Sequence, residues 1–157
     1  MRFLLISLIS LPLWAAENSV DIDLKGNSSI YIDQIGSGNT AQIWCGLSNG
    51  TYATHSCSSA TIDIDQNGTG NLAKAYSQYT NHTGNEYTIE QTGDNNVGYI
   101  DADDNDNEST ITQTGDNMQG EIFMSGNDNV YTISQTGTGN HYAKFYAFGD
   151  DSAWTAT

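Results

Sequence analysis

An eight-residue pattern, Ile-x-Gln-x-Gly-x-x-Asn, returns five times along the chain, at 32–39, 64–71, 89–96, 111–118 and 133–140, with Met118 in the last place of the fourth copy. The glutamines Gln34, Gln66, Gln91, Gln113 and Gln135 are separated by 32, 25, 22 and 22 residues. A step near 22 is too short for two helices. It suits two short strands and two tight turns, which is one coil of a β-solenoid. The expected fold is all-β: a two-sheet β-solenoid, or β-helix, of five strand-turn-strand repeats.

The fourth copy shows how one coil is written. Asn107, Ser109, Ile111 and Gln113 lie at period two and share a strand face, with Glu108, Thr110 and Thr112 opposite. Gly115, Asp116 and Asn117 supply a turn, because Gly and Asn tolerate positive φ. Gly120, Ile122 and Met124 then alternate as a second strand. Stacking such coils predicts a core column of Ile32, Ile64, Ile89, Ile111 and Ile133. Beside it runs a mixed column of Ile30, Ile62, Tyr87, Ser109 and Tyr131. Small Ala41, Ala73, Gly98 and Gly120 face these large residues, so the two sheets can close tightly. In the last copy the alternation slips by one, and Ala143, Phe145 and Ala147 take the inward parity if a bulge follows Asn140.

The glutamines would be buried, and a buried amide is costly unless bonded. Identical amides stacked about 4.8 Å apart can donate to and accept from their neighbours. The five glutamines are therefore expected to form a ladder, and Asn39, Asn71, Asn96 and Asn140 a second one across the turn, broken at Met118.

The 157 residues carry 19 Asp and Glu against 4 Lys and Arg, for a net charge of -15. Phosphate recognition needs clustered cations, so nucleic acid is not expected as a partner and anionic membrane surfaces are disfavoured. At the N-terminus, Met1-Arg2, an apolar run at 3–14 and Ala15-Ala16 read as a secretory signal peptide over residues 1–16, with a buried helix as the alternative. The run is too short to span a bilayer as a helix, and no membrane insertion is expected after its removal. Residues 17–27 then form an N-terminal half-coil, 28–148 the five-repeat solenoid, and 149–157 a C-terminal cap or edge. Secretion favours a Cys45–Cys57 disulfide at the base of the extension 45–57, with free thiols as the alternative. Two Cys and His55 fall short of a zinc set.

Residues 27–148 resemble the curlin repeats of curli, a bacterial extracellular amyloid. The family pattern runs Ser-x5-Gln-x-Gly-x2-Asn-x-Ala-x3-Gln. It is matched by Ser28, Gln34, Gly36, Asn39 and Ala41, by Gln66, Gly68, Asn71 and Ala73, and by Gln91, Gly93 and Asn96. Gln113 and Gly115, then Gln135, Gly137 and Asn140, continue it. Three features depart from the family. Its second Gln is replaced by Cys45, Ser77, Ala102, Met124 and Tyr146; the Gly-rich head segment is missing; and the cysteine extension is added. The resemblance implies a secreted subunit that assembles with itself and with other curlin subunits into cell-surface fibres of a biofilm matrix, for adhesion. It also implies a secretion pore and accessory factors as partners. Major subunit and nucleator both stay open. By the same resemblance, Asp94, Gly98, Asp116 and Gly120 would slow assembly in the third and fourth repeats.

No catalytic set is expected, since His55, His82 and His141 are scattered without a nucleophile, and no cofactor is implied. Calcium is the one ion to consider. Asp and Asn alternate across 101–107, without the Gly and Glu of an EF-hand, so a solvated turn is the plainer account. Asp33, Asp65 and Glu90 share an outward column, whose repulsion calcium or acid would relieve. The rival function is a monomeric, capped β-solenoid that binds calcium or a surface ligand.

Overall fold

The computed structural model of the chain describes residues 4–9, 17–22, 28–44, 57–76, 82–102 and 104–157. Twelve strands follow one another: β1 (Leu4–Ile9), β2 (Ser19–Asp21), β3 (Ser28–Ser37), β4 (Thr40–Gln42), β5 (Cys57–Ser58), β6 (Ala60–Thr69), β7 (Leu72–Ala73), β8 (His82–Thr83), β9 (Glu86–Thr92), β10 (Glu108–Asp116), β11 (Val130–Thr138) and β12 (Ala153–Ala156). The described residues contain no helix.

Seven strands form one sheet in the order β1-β3-β6-β9-β10-β11-β12, with every pair parallel. The motif sets the register: Ile32 pairs with Ile64, Ile64 with Ile89, Ile89 with Ile111 and Ile111 with Ile133. A second sheet starts as β2-β4-β7 and continues through single parallel bridges, Leu72 to Val97, Val97 to Gln119 and Gln119 to Tyr142. Strictly parallel neighbours one repeat apart in the sequence require that the chain travel once around between them. The result is the two-sheet β-solenoid of about 5 turns that the repeat predicts.

The core lies between the sheets. Ile32, Ile64, Ile89, Ile111 and Ile133 are all 0% exposed, and Ile30, Ile62, Tyr87, Ser109 and Tyr131 form a second buried row. Burying one such side chain contributes about 1.5–3 kcal/mol, and each coil presents its apolar row only to its neighbours. The facing sheet supplies Ala41, Ala73, Gly98 and Gly120, then Ile43, Ala75, Ile100 and Ile122, all buried. Ile89 explains the small residue at 98, because a Cβ there would stand 3.0 Å from its Cγ2. Ala102 and Met124, two of the places where a second Gln is missing, are fully buried apolar positions. Their coils contact Tyr87, whose hydroxyl donates to the Ala102 carbonyl at 3.2 Å, and Ser109, which lies 3.6 Å from Met124 Sδ.

The last coil slips in register as its alternation foretells. Gln119 N–H donates to the His141 carbonyl at 2.8 Å, where the preceding coil uses Val97 and Met118. His141 therefore holds the place of Met118, and Asn140 is looped out. The extra residue is absorbed in a tight bend, with His141 N–H bonded to the Gly139 carbonyl at 2.9 Å. Ala143, Phe145 and Ala147 then pack against the core.

At the other end, residues 4–9 of the segment read as a leader lie as a strand rather than a helix. They run parallel to Ile30–Ile35, with Leu8 level with Gln34. The Cys45–Cys57 pairing, Leu24 and residues 10–16 fall outside the described residues.

Candidate functional site: polar ladders along the stack

Ladders form because strand register puts the same residue type at the same height in successive coils. The glutamine ladder is continuous. Gln34 Nε2 donates to Gln66 Oε1 at 2.7 Å, Gln66 to Gln91 at 2.8 Å, Gln91 to Gln113 at 2.9 Å and Gln113 to Gln135 at 2.8 Å. Each Nε2 has a second hydrogen, which goes across the core to a backbone carbonyl of the opposite sheet. The acceptors are Ser19, Thr40, Leu72, Val97 and Gln119, at 3.1–3.2 Å. This second bond fixes the amide orientation, since a flipped amide would set oxygen against oxygen. The ladder also ties the two sheets together. Its first member is incomplete: Gln34 Oε1 is buried without a partner among the described residues.

The first asparagine ladder works differently. Oδ1 accepts the backbone N–H of the same place one coil on, and Nδ2 donates to a turn carbonyl. Asn71 N–H bonds Asn39 Oδ1 at 3.0 Å, Asn96 N–H bonds Asn71 Oδ1 at 2.9 Å, and Met118 N–H bonds Asn96 Oδ1 at 3.0 Å. The Nδ2 groups of Asn39, Asn71 and Asn96 reach the carbonyls of Gly68, Gly93 and Gly115 at 2.7–3.0 Å. Met118 brings no acceptor, so the ladder stops there. Asn140, expected in it, is exposed and out of register. Asn18 was not among the expected members, yet its Oδ1 accepts Asn39 N–H at 3.0 Å and starts the ladder one coil earlier.

A further ladder occupies the opposite corner. Asn107 N–H bonds Asn85 Oδ1 at 2.9 Å, Asn129 N–H bonds Asn107 Oδ1 at 3.0 Å, and Ser152 N–H bonds Asn129 Oδ1 at 2.9 Å. Asn85, Asn107 and Asn129 each stand six residues before a motif glutamine, a signal visible in the sequence. They fill the place where the family pattern has Ser. Asp94 and Asp116 also bond along the stack: Thr69 N–H reaches Asp94 Oδ1 at 2.8 Å, and Asp94 N–H reaches Asp116 Oδ1 at 2.9 Å. Charge-assisted bonds to backbone N–H offset the mutual repulsion of these aspartates.

Glycine 93 shows why the motif tolerates no side chain at the turn. Its φ is +112°, and a Cβ there would collide with the carbonyl oxygen of Gly115.

The outward acidic column is real in register: Asp33 pairs with Asp65 and Asp65 with Glu90. Burial, then Asp33, Glu90 and Asp63, raises the Asp65 pKa above its ordinary value. Burial and Glu90 raise that of Asp63. A carboxyl whose pKa rises on folding binds its proton more tightly in the folded state. Its stabilisation is present at acid pH and is lost as pH climbs from the ordinary carboxylate range through the raised values. Asp65→Asn is therefore expected to raise the urea midpoint at neutral pH and to leave it nearly unchanged below the ordinary carboxylate range. An equal shift at both pH values would remove the charge explanation.

Among the described residues, no group of three or more His, Cys, Asp or Glu is arranged to hold a metal ion. Among the described residues of 101–107, polar atoms of Asp101, Asp104, Asn105 and Asn107 serve the fold. Tyr99 donates to Asp101 Oδ2 at 2.9 Å, Gly126 N–H to Asp104 Oδ2 at 2.9 Å, and Asn105 and Asn107 belong to corner ladders. His141 is exposed at the last bend. Among the described residues no helix is long and apolar enough to cross a membrane.

Coil register, buried amide ladders and a dry Ile column together define a class: a parallel β-solenoid whose polar side chains bond from coil to coil. Residues 83–115, which contain Gln91, Gly93, Asn96, Gln113 and Gly115, match the family model for the curlin associated repeat. No curated protein and no solved structure matches the chain.

Proposed function

We propose that this protein is a secreted structural subunit that self-assembles into extracellular amyloid fibres of the curli type, alone or with other curlin subunits. On this reading it serves a biofilm matrix and surface adhesion, is exported after loss of residues 1–16, and has no catalytic role. The observation that carries the reading is the glutamine ladder, a side-chain amide column running through every coil along the stacking axis. Such columns are the stabilising device of cross-β stacks, and they gain one bond for every coil added. The curlin associated repeat at 83–115 supports it independently.

The test is to release the chain from denaturant and follow thioflavin T, then take fibre diffraction. Expected are a concentration-dependent lag, growth, and reflections near about 4.7 and 10 Å from strand and sheet spacing. A β-rich monomer that does not grow even when seeded would instead establish the capped binding module, and calcium titration would follow.

A further inference from the structure

Without β1, which lies on β3 at the head of the first sheet, the two ends of the stack are unfinished in opposite sheets. At the head, β2 continues the second sheet beyond β4. At the tail, β12 continues the first sheet beyond β11, over Val130–Ile133 only. Beyond Tyr142 the second sheet has no further strand among the described residues. The head thus carries the second-sheet half of an extra coil, and the tail carries the first-sheet half.

We propose that copies of this chain join tail to head through one composite coil. In it, β12 of one copy and residues 18–22 of the next lie side by side as the two halves of a single turn. The inference rests on the self-assembly reading above and specifies its contact.

The register follows from the ladders. Val130 is level with Glu108, Glu86, Thr61 and, in the first coil, Ser29. Continuing that step places Ala153 on Ser29 and Ala156 on Ile32 of the next copy. The β3 edge does accept a parallel strand there, because β1 sits on it with Leu4 level with Ile30 and Ile6 level with Ile32. β1 is thus a strand in the place of an incoming tail, and the joint needs it removed. In the second sheet, Ser19 is level with Thr40, Thr40 with Leu72, and Leu72 through Val97 and Gln119 with Tyr142. Ser19 of the next copy therefore falls on Tyr142, Val20 on Ala143 and Asp21 on Lys144.

The chemistry of the two faces fits a second copy. Lys144 lies 3.5 Å from Glu121 on the coil behind it, and the composite coil would set the exposed Asp21 on its other side. Tyr142, Tyr146, Phe148 and Trp154 are exposed large apolar residues gathered at the tail. A groove of about 410 Å³ opens there between Gln135, Phe145 and Ala156. The contact is heterologous, and a repeated coil step does not close on itself, so it generates a filament rather than a ring.

Paired cysteines test the joint, with the full chain compared against the chain beginning at Glu17. Neighbouring parallel strands place level Cα atoms about 4.8 Å apart, within disulfide reach. In fibres of the shorter chain carrying Ser19→Cys and Tyr142→Cys, oxidation is expected to give a ladder of covalent dimers, trimers and higher species, against a parent with only its own two cysteines. Either single variant should give none above the parent, and the full chain, with β1 in place, far fewer. Fibres without the ladder would overturn the composite coil and leave the assembly reading standing. Absence of fibres from the shorter parent would overturn both. If the paired variant does not assemble, charge reversal decides. Asp21→Lys is expected to slow seeded elongation by about threefold or more, and adding Lys144→Glu to restore it. Unchanged elongation on reversal would overturn the joint.

Discussion

Gly93→Ala is expected to destabilise the solenoid by about 4 kcal/mol, combining the strain of a left-handed residue with a backbone collision. The added Cβ would meet the Gly115 carbonyl of the next coil, with Asp116 Oδ1 2.9 Å away, and neither can retreat without opening the ladder bonds that hold them. Gly139→Ala provides the control. Its φ of +126° imposes comparable backbone strain, but nothing lies within 4 Å of the new atom. Only the strain contribution, about 1–3 kcal/mol, should appear there. Equilibrium denaturation of both variants separates the two effects. Equal losses would mean that coil-to-coil contact at the turn does not dictate the glycine.

Gln91→Leu is expected to have a similar or larger effect for a different reason. Leucine has nearly the same volume and suits the dry interior, so packing alone predicts a small change. The amide, however, holds three partners: it accepts from Gln66 Nε2 and donates to Gln113 Oε1 and the Leu72 carbonyl. Removing it strands one hydrogen of Gln66 Nε2 and the Gln113 Oε1 at about 1–3 kcal/mol each, a total of about 2–6 kcal/mol, while the Leu72 carbonyl keeps its bond from Gly98 N–H at 2.9 Å. Gln135→Leu should cost roughly half as much, because that residue closes the column, is 7% exposed and has fewer partners to abandon. A Gln91→Leu protein as stable as its parent would mean that the ladder is ornamental and apolar stacking alone holds the coils.

The period, the Ile column and the Gln column were legible in the sequence because each recurs with one residue type at one place in every coil. One motif along the chain becomes one step along the axis, so matching places in the motif predict contact whatever the length of the segment between them. Asn18 was not legible, since it belongs to a half-coil without a motif, and only strand pairing brings it level with Asn39. The corner ladder of Asn85, Asn107 and Asn129 was spelled out at regular spacing, but Asn is frequent in this chain and reads as generic turn chemistry. Asn140 shows the converse failure. It satisfies the motif, yet one extra residue at the last bend puts His141 in its place. Sequence spacing does not register where a bulge is taken up. The bonds made by the aspartates at 94 and 116 were not legible, because the backbone N–H groups that they accept come from another coil.

The common orientation of the glutamines gives the molecule an electrical arrow. Every Nε2 points toward the C-terminal coil and every Oε1 toward the N-terminal one. Aligned amide dipoles add, as peptide dipoles do along an α-helix, and leave one end of the column negative and the other positive. An inverted unit set on either end would bring like poles together, oxygen against oxygen or hydrogen against hydrogen. Two columns lying side by side gain when they run in opposite directions. On the assembly reading proposed above, growth in one sense and lateral pairing in the other both follow from a single buried row of amides.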